Sequence, residues 1–314
     1  MKSLRLALIF LCLSALAFAA DGSFQRTLQV SGPVDLDVHT GSGHITVRTG
    51  SANTVQINGT IRAHGHDADE RVHQLESNPP IEQNGNSIRV GHDHDPEFFR
   101  SISIDYDITV PAATNLRSHT GSGNQKIDGI RGPADVQSGS GNLEISNISG
   151  ELNASAGSGN LTIENIHGAV RAHSGSGDIR ASSIAGAFEG HTGSGSVRLQ
   201  QTAAGDVRVD TGSGGVELSG VKGAVVARAG SGDIRAEGEA TSDWRLHTGS
   251  GGVTVRLPSE AAFDLYARTS SGSISVDQPV TVQGTVGRHE LRGKVRGGGT
   301  RIELETGSGN IRVE

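Results

Sequence analysis

The sequence predicts an all-β fold, a single-stranded parallel β-helix, on three observations. The tripeptide Gly-Ser-Gly recurs at positions 121, 139, 157, 175, 193, 212, 230 and 249, in steps of 18 or 19 residues. Apolar residues keep fixed places within each unit. Only 3% of the chain is aromatic while 46 of its 314 residues are glycine, roughly twice the usual share. A fixed period of this length is the mark of a solenoid, whose units bury their apolar faces only by stacking.

Each unit holds two strand-like segments. One carries Leu143, Leu161, Ile179, Val197, Val216, Ile234 and Val253, followed two positions on by Ile145, Ile163, Ala181, Leu199, Leu218, Ala236 and Val255. Ile130, Ile148, Ile166, Ile184 and Val221 form a third column, and Gly132, Gly150, Gly168, Gly186, Gly205 and Gly223 a column of corners. The second segment carries Leu152, Val170, Phe188, Val207, Val225 and Trp244. Apolar positions two apart with polar ones between are the strand signature. The glycine corners are expected to supply the positive φ of tight turns. Right-handed winding is the default for parallel connections. The apolar spacing does not fit the six-residue period of left-handed hexapeptide coils.

Residues 1–19 read as a signal peptide. Lys2 and Arg5 precede an apolar run from Leu6 to Leu16, and Ala17-Phe18-Ala19 suits cleavage before Ala20. The run is short for a membrane span. Cys12 leaves with this segment, so no disulfide is expected in the mature chain. Residues 20–115 are less regular. They read as an N-terminal cap with one short helix, about 67–77, opened by a capping-box-like Asp67 to Glu70 and ended by Pro79-Pro80. Ser87 to Val90 and Ile102 to Val110 read as strands. Residues 116–314 read as the β-helix proper, with an irregular stretch at 278–306. The last strand, Asn310 to Val313, is expected to present a free edge able to pair end to end with another copy.

The order of a leader, a strand region with a short helix, Tyr106-Asp-Ile-Thr-Val-Pro111 and repeated Thr/Ser-Gly-Ser-Gly-x-Ile/Val units resembles the bacterial adhesin-like β-strand-repeat family of unknown function. It is similar to the head domains ascribed to autotransporter adhesins. The resemblance covers about residues 24–314. It implies a β-helical fold and a place in the periplasm, at the cell surface or outside the cell, and offers no catalytic residue to carry over.

Net charge is −7 with both signs scattered. No basic cluster suits a phosphate backbone, which argues against nucleic acid as a partner. Histidines are the most visible candidate chemistry. His39, His119, His173, His191 and His247 share one repeat position, so His173 and His191 are expected about one strand spacing apart, ~5 Å, where imidazoles can hold Zn²⁺ or Cu²⁺. His92-Asp-His94-Asp95, and His64 with His66, are the other candidate metal ligands. Gln137, Asp210 and Arg228 in the shared column favour a solvated face. Asp178 and Asp233 stand where Asn124, Asn142 and Asn160 stand in other units. An Asn/Asp ladder explains them better than calcium, whose β-rolls repeat about every nine residues. Neither a nucleophile elbow nor a phosphate loop occurs. Glu144, Glu164 and Glu217 face outward with no catalytic spacing. The expectation is an exported structural or interaction protein, with no cofactor and no activity of its own, meeting a surface protein or glycan. The alternatives are a polysaccharide-active enzyme on the same fold and a metal-binding envelope protein.

Overall fold

The computed structural model describes residues 19–92, 97–282 and 287–314. The expected leader lies outside them except for Ala19. Among the described residues two sheets, of 14 and 15 strands, face each other across one apolar core. Strands alternate between them along the chain: Leu143–Ile148 lies in the first, Leu152–Ala156 in the second, Leu161–Ile166 in the first again. Pairing is parallel and in register with the preceding and following units. Leu143 faces Leu161, which faces Ile179. Leu152 faces Val170, which faces Phe188. The apolar columns therefore stack like on like, and Ile163, Ile166, Leu152 and Val225 are wholly buried. Where Phe188 stands, Gly190 replaces the Ala172 and Val209 of the adjacent coils. A Cβ there would lie 2.7 Å from the phenyl ring. The column keeps its volume by exchanging one side chain for another.

The structure gives the triplet glycines a different reason from the one expected. Most are not at positive φ. A Cβ on Gly159 would meet the carbonyl oxygen of Gly141 at 1.8 Å, and one on Gly139 would meet that of Gly121 at 2.4 Å. Backbone passes over backbone at the corner, and no side chain fits between. Positive φ is used at the other corner, by Asn147 (58°), Asn165 (56°) and Ser183 (55°). The Ser or Thr before most triplets is a second device. Ser174 Oγ donates to Gly159 O (2.9 Å) and accepts from Gly177 N–H (2.9 Å). Thr192 and Thr211 repeat the arrangement. Each buried hydroxyl thus ties its own corner to the one below.

The ends depart from this order. Val34–Thr40 and Ile45–Thr49 are not part of a separate cap but a coil of the stack, pairing with Thr114–Thr120 and Gln125–Asp128. On their other side they pair with Ser87–Val90 and Ile102–Val110. The coil that comes second in the chain is therefore outermost. Thr54–His64 and Ala19–Gln29 extend the first sheet beyond it in antiparallel fashion. The helix, Ala68–Ser77, buries Ala68, Val72 and Leu75 against these strands. Asp67 is its N-cap but makes no side-chain cap bond, so the expected capping box does not form. Glu76 instead accepts the N–H of Ser23 at 3.0 Å.

The far end mirrors this. Thr300–Ser308 and Ile311–Val313, last in the chain, are inserted between the coil of Trp244–Ser250 and Val253–Arg256 and that of Phe263–Ser271 and Ile274–Val276. Glu290–Val295 then closes on Phe263–Ser271 in antiparallel fashion. The expected free edge at Asn310 to Val313 is therefore corrected. Ile311–Val313 is paired on both sides, because an earlier segment of the chain folds over it.

Candidate functional site

The outward columns come first, since they are what the repeats present to solvent. Along the second sheet, register places Arg89, Asp37, Arg117 and Asp135 on successive coils, and further on Arg171, Glu189 and Arg208. The first sheet pairs Lys126 with Glu144 (2.7 Å) and Arg198 with Glu217 (3.2 Å). Two of the three outward acids singled out from the sequence are thus engaged with the preceding coil. The groups of both pairs are more than half exposed, so solvent screens them and they add little to stability. Their effect is to alternate the sign of charge along the faces.

The corner ladder is built of backbone-to-side-chain bonds. Asn142 N–H donates to Asn124 Oδ1, Asn160 N–H to Asn142 Oδ1 and Asp178 N–H to Asn160 Oδ1, each at 2.9 Å. Ser196 N–H donates to Asp178. Asp233 accepts from Gly252 N–H at 2.9 Å. That bond does most to hold its carboxyl below the usual range; partial burial opposes it and Arg235 adds to it. Both aspartates therefore have a partner in the stack.

His173 and His191 lie as stacked rings, centroids 5.2 Å apart and 4° from parallel. Parallel imidazoles at that spacing point their lone pairs the same way rather than at one point. Two nitrogens bound to one Zn²⁺ at about 2.0–2.1 Å cannot lie more than about 4.2 Å apart. His94 lies outside the described residues. His92 is drawn into a row that the sequence did not reveal. Its ring lies 5.9 Å from that of His39, which stacks on His119 at 5.1 Å. Its Nε2 is 3.0 Å from Asp37 Oδ1. Burial pushes the His39 pKa down, and His119 and His92 push it further; the Gly91 backbone and Asp37 oppose them. Sequence reading placed His39 and His119 in one column. It missed His92, because the coil carrying it stacks out of chain order. Among the described residues no group of three or more His, Cys, Asp or Glu converges to hold a metal ion.

His39 also lines a cleft of about 590 Å³ with His64, Phe99, Arg100, Ser101 and Tyr106. Ser101 there has φ 64°. A second cleft, about 480 Å³, lies at the opposite end among Asp264, Tyr266, Arg292, Lys294, Arg301 and Glu303. The Arg292 guanidinium sits 4.8 Å above the Tyr266 ring, a cation–π contact. Both of these clefts lie in the irregular ends, where the stacking order is broken.

Stacked parallel coils, glycine corners and solvated charge ladders define a β-solenoid-like repeat protein. The chain belongs to the Toastrack DUF4097 family, whose model matches residues 21–189 and again 150–314. This agrees with the family resemblance carried by the repeats. Among solved structures, a candidate adhesin from Parabacteroides distasonis is 10% identical over 93% of this chain and 97% of its own, with a TM-score of 0.43. One from Parabacteroides merdae is 10% identical over 93% and 96%, with a TM-score of 0.43. A third, from Bacteroides fragilis, is 14% identical over 93% and 97%, with a TM-score of 0.35. No match is found among curated proteins. Among the described residues no helix is long and apolar enough to cross a membrane.

Proposed function

We propose that this protein is an exported, adhesin-like rod of the cell envelope or surface, which binds a surface protein or glycan along its faces and has no catalytic activity. One observation carries the reading: outward side chains stand in register on successive coils, so polar groups of both signs recur at a spacing of one coil along each face. Repetition of a weak contact raises overall avidity without a dominant residue. Cleavage before Ala20, right-handed winding and coils of about 18 residues belong to the same reading. Glu144 and Glu217 are engaged by Lys126 and Arg198 of neighbouring coils, which supports binding over polysaccharide cleavage.

The test is a glycan-array and cell-binding screen of the chain from Ala20, followed by substitution of the Arg171, Glu189 and Arg208 column. Repeated shallow contact predicts that each single Ala variant lowers binding less than about three-fold, whereas the triple variant loses it. Loss of all binding on one substitution, or turnover of a polysaccharide, overturns the reading.

A further inference from the structure

The last coil of the chain, 300–313, occupies a slot whose two walls present nearly the same columns. On one wall Trp244, Leu246, Thr248 and Ser250 face Ile302, Leu304, Thr306 and Ser308. On the other, Leu265, Ala267, Thr269 and Ser271 face the same four residues. In the first sheet, Val253 and Val255 on one side and Ile274 and Val276 on the other face Ile311 and Val313. Nothing in the slot depends on which chain supplies the coil. The bonds that hold it are ladder bonds, the Thr306 hydroxyl to Gly251 O (2.8 Å) and the pair of Arg256 with Glu314 (2.8 Å).

The coil reaches its slot by a short detour. Val295 and Thr300 lie on opposite sides of Phe263 and are both its register partners. The connection, Arg296-Gly297-Gly298-Gly299, must cross two strand spacings, roughly 10 Å. Arg296, Gly297 and Gly298 all have positive φ (51°, 90° and 89°). A Cβ on Gly298 would meet Asp264 Oδ1 at 2.3 Å, and one on Gly299 would meet Ala262 O at 2.5 Å. The glycines thus let the chain turn tightly around the end of one strand. Without them only Arg296 remains between Val295 and Thr300, and two Cα–Cα steps reach about 7.6 Å, less than the gap. A hinge too short to fold back leads a segment to seek the same slot in another copy.

We propose that coil 300–313 is an exchangeable element that joins two copies of this chain, each seating its last coil in the other's slot. The proposal is independent of what the faces of the rod bind. It predicts reciprocal exchange with every column contact preserved, and a larger exchanged fraction when the glycine hinge is shortened.

The test traps the exchanged state covalently. Thr254 and Arg312 face each other across the slot wall. One full chain carries Thr254→Cys and a second carries Arg312→Cys. The two are co-expressed and treated with a short thiol-to-thiol cross-linker. The experiment is run with the natural hinge and with Gly297–Gly299 deleted. A chain carrying both substitutions is the internal control. The expected result is a cross-linked species of twice the chain mass in both pairs, dominant when the hinge is deleted and absent from either single variant alone. The proposal is overturned if the control cross-links within one chain while the natural-hinge pair gives no two-chain species. It is equally overturned if the hinge-deleted chain is a folded monomer. Should the deleted chain fail to fold, the natural-hinge pair decides alone.

Discussion

From Thr114 to Arg256 the order of coils in space is the order in the chain; at both ends it is not. In the middle, each coil rests on the one made just before it. At the amino end the first coil is sandwiched between the second and third, and at the carboxyl end the last coil is sandwiched between its two predecessors. Both regions obey the same column rules. A repeat fixes which residues face which, because Ile fits on Ile and corner on corner, but it leaves open which coil is the neighbour. The antiparallel strands at each end settle that choice. They can only continue the outermost coil, and so they hold the first and last coils one coil inward, where edge groups are paired rather than open.

Glycine substitutions give the sharpest way to break the comparison. Gly139→Ala places a methyl 2.4 Å from Gly121 O, whereas at Gly41, the equivalent position in the amino-terminal coil, a Cβ meets nothing within 4 Å. Gly139→Ala is expected to cost more than about 3 kcal/mol, the range of severe core overpacking and beyond, and Gly41→Ala less than about 0.5 kcal/mol. Urea unfolding followed by circular dichroism measures both; equal effects would mean that the corners do not stack as described. Core truncation comes next. Ile163→Ala should cost about 2–5 kcal/mol, and an intact midpoint would argue against the buried column.

The buried hydroxyl column offers a smaller effect in both directions. Ser174→Ala leaves Gly159 O and Gly177 N–H without their partner and should cost about 1–3 kcal/mol. Ala156 occupies the same column without a hydroxyl. Ala156→Ser can reach Gly141 O and Gly159 N–H, and should add about 0.5–1.5 kcal/mol. A lower unfolding midpoint for Ala156→Ser would sink this account of the Thr/Ser that precedes most triplets.

The smallest effect separates the amino end from the middle by pH. The folded state lowers the His39 pKa from 6.5, so near that value the unfolded chain binds more protons. Stability from this group is complete above about pH 6.5 and is lost as pH falls through the folded value. His39→Gln should flatten that part of the stability curve without changing it at pH 8. An unchanged slope would show that the histidine row is not felt by the fold. Asp233 acts in the same direction at lower pH, since its carboxyl is held below 3.8, and its contribution disappears only as pH falls below that range.

Much of the molecule could be read in advance. The columns at Leu143, Ile145 and Ile148, the short helix, the strands at Ser87 and Ile102 and the Asn124 to Asp178 ladder all follow from local spacing and residue type. The histidine row was half visible: His39 and His119 share a repeat position, while His92 does not and joins them only because its coil stacks out of order. The reason for the triplet glycines was also hidden, since positive φ and close backbone approach select the same residue and only the distance to the coil below tells them apart.

What the sequence by itself determined is therefore the coil: its inward columns and its corners, set by in-register contacts between successive units. What only the tertiary structure decided is the order in which the end coils are laid down, and with it the histidine row, the two end clefts and the covered last strand. The physical reason is that identical columns make every neighbour acceptable. The choice among them falls to the few antiparallel pairings, Thr54–His64 on Ile102–Val110 and Glu290–Val295 on Phe263–Ser271, that no repeat encodes.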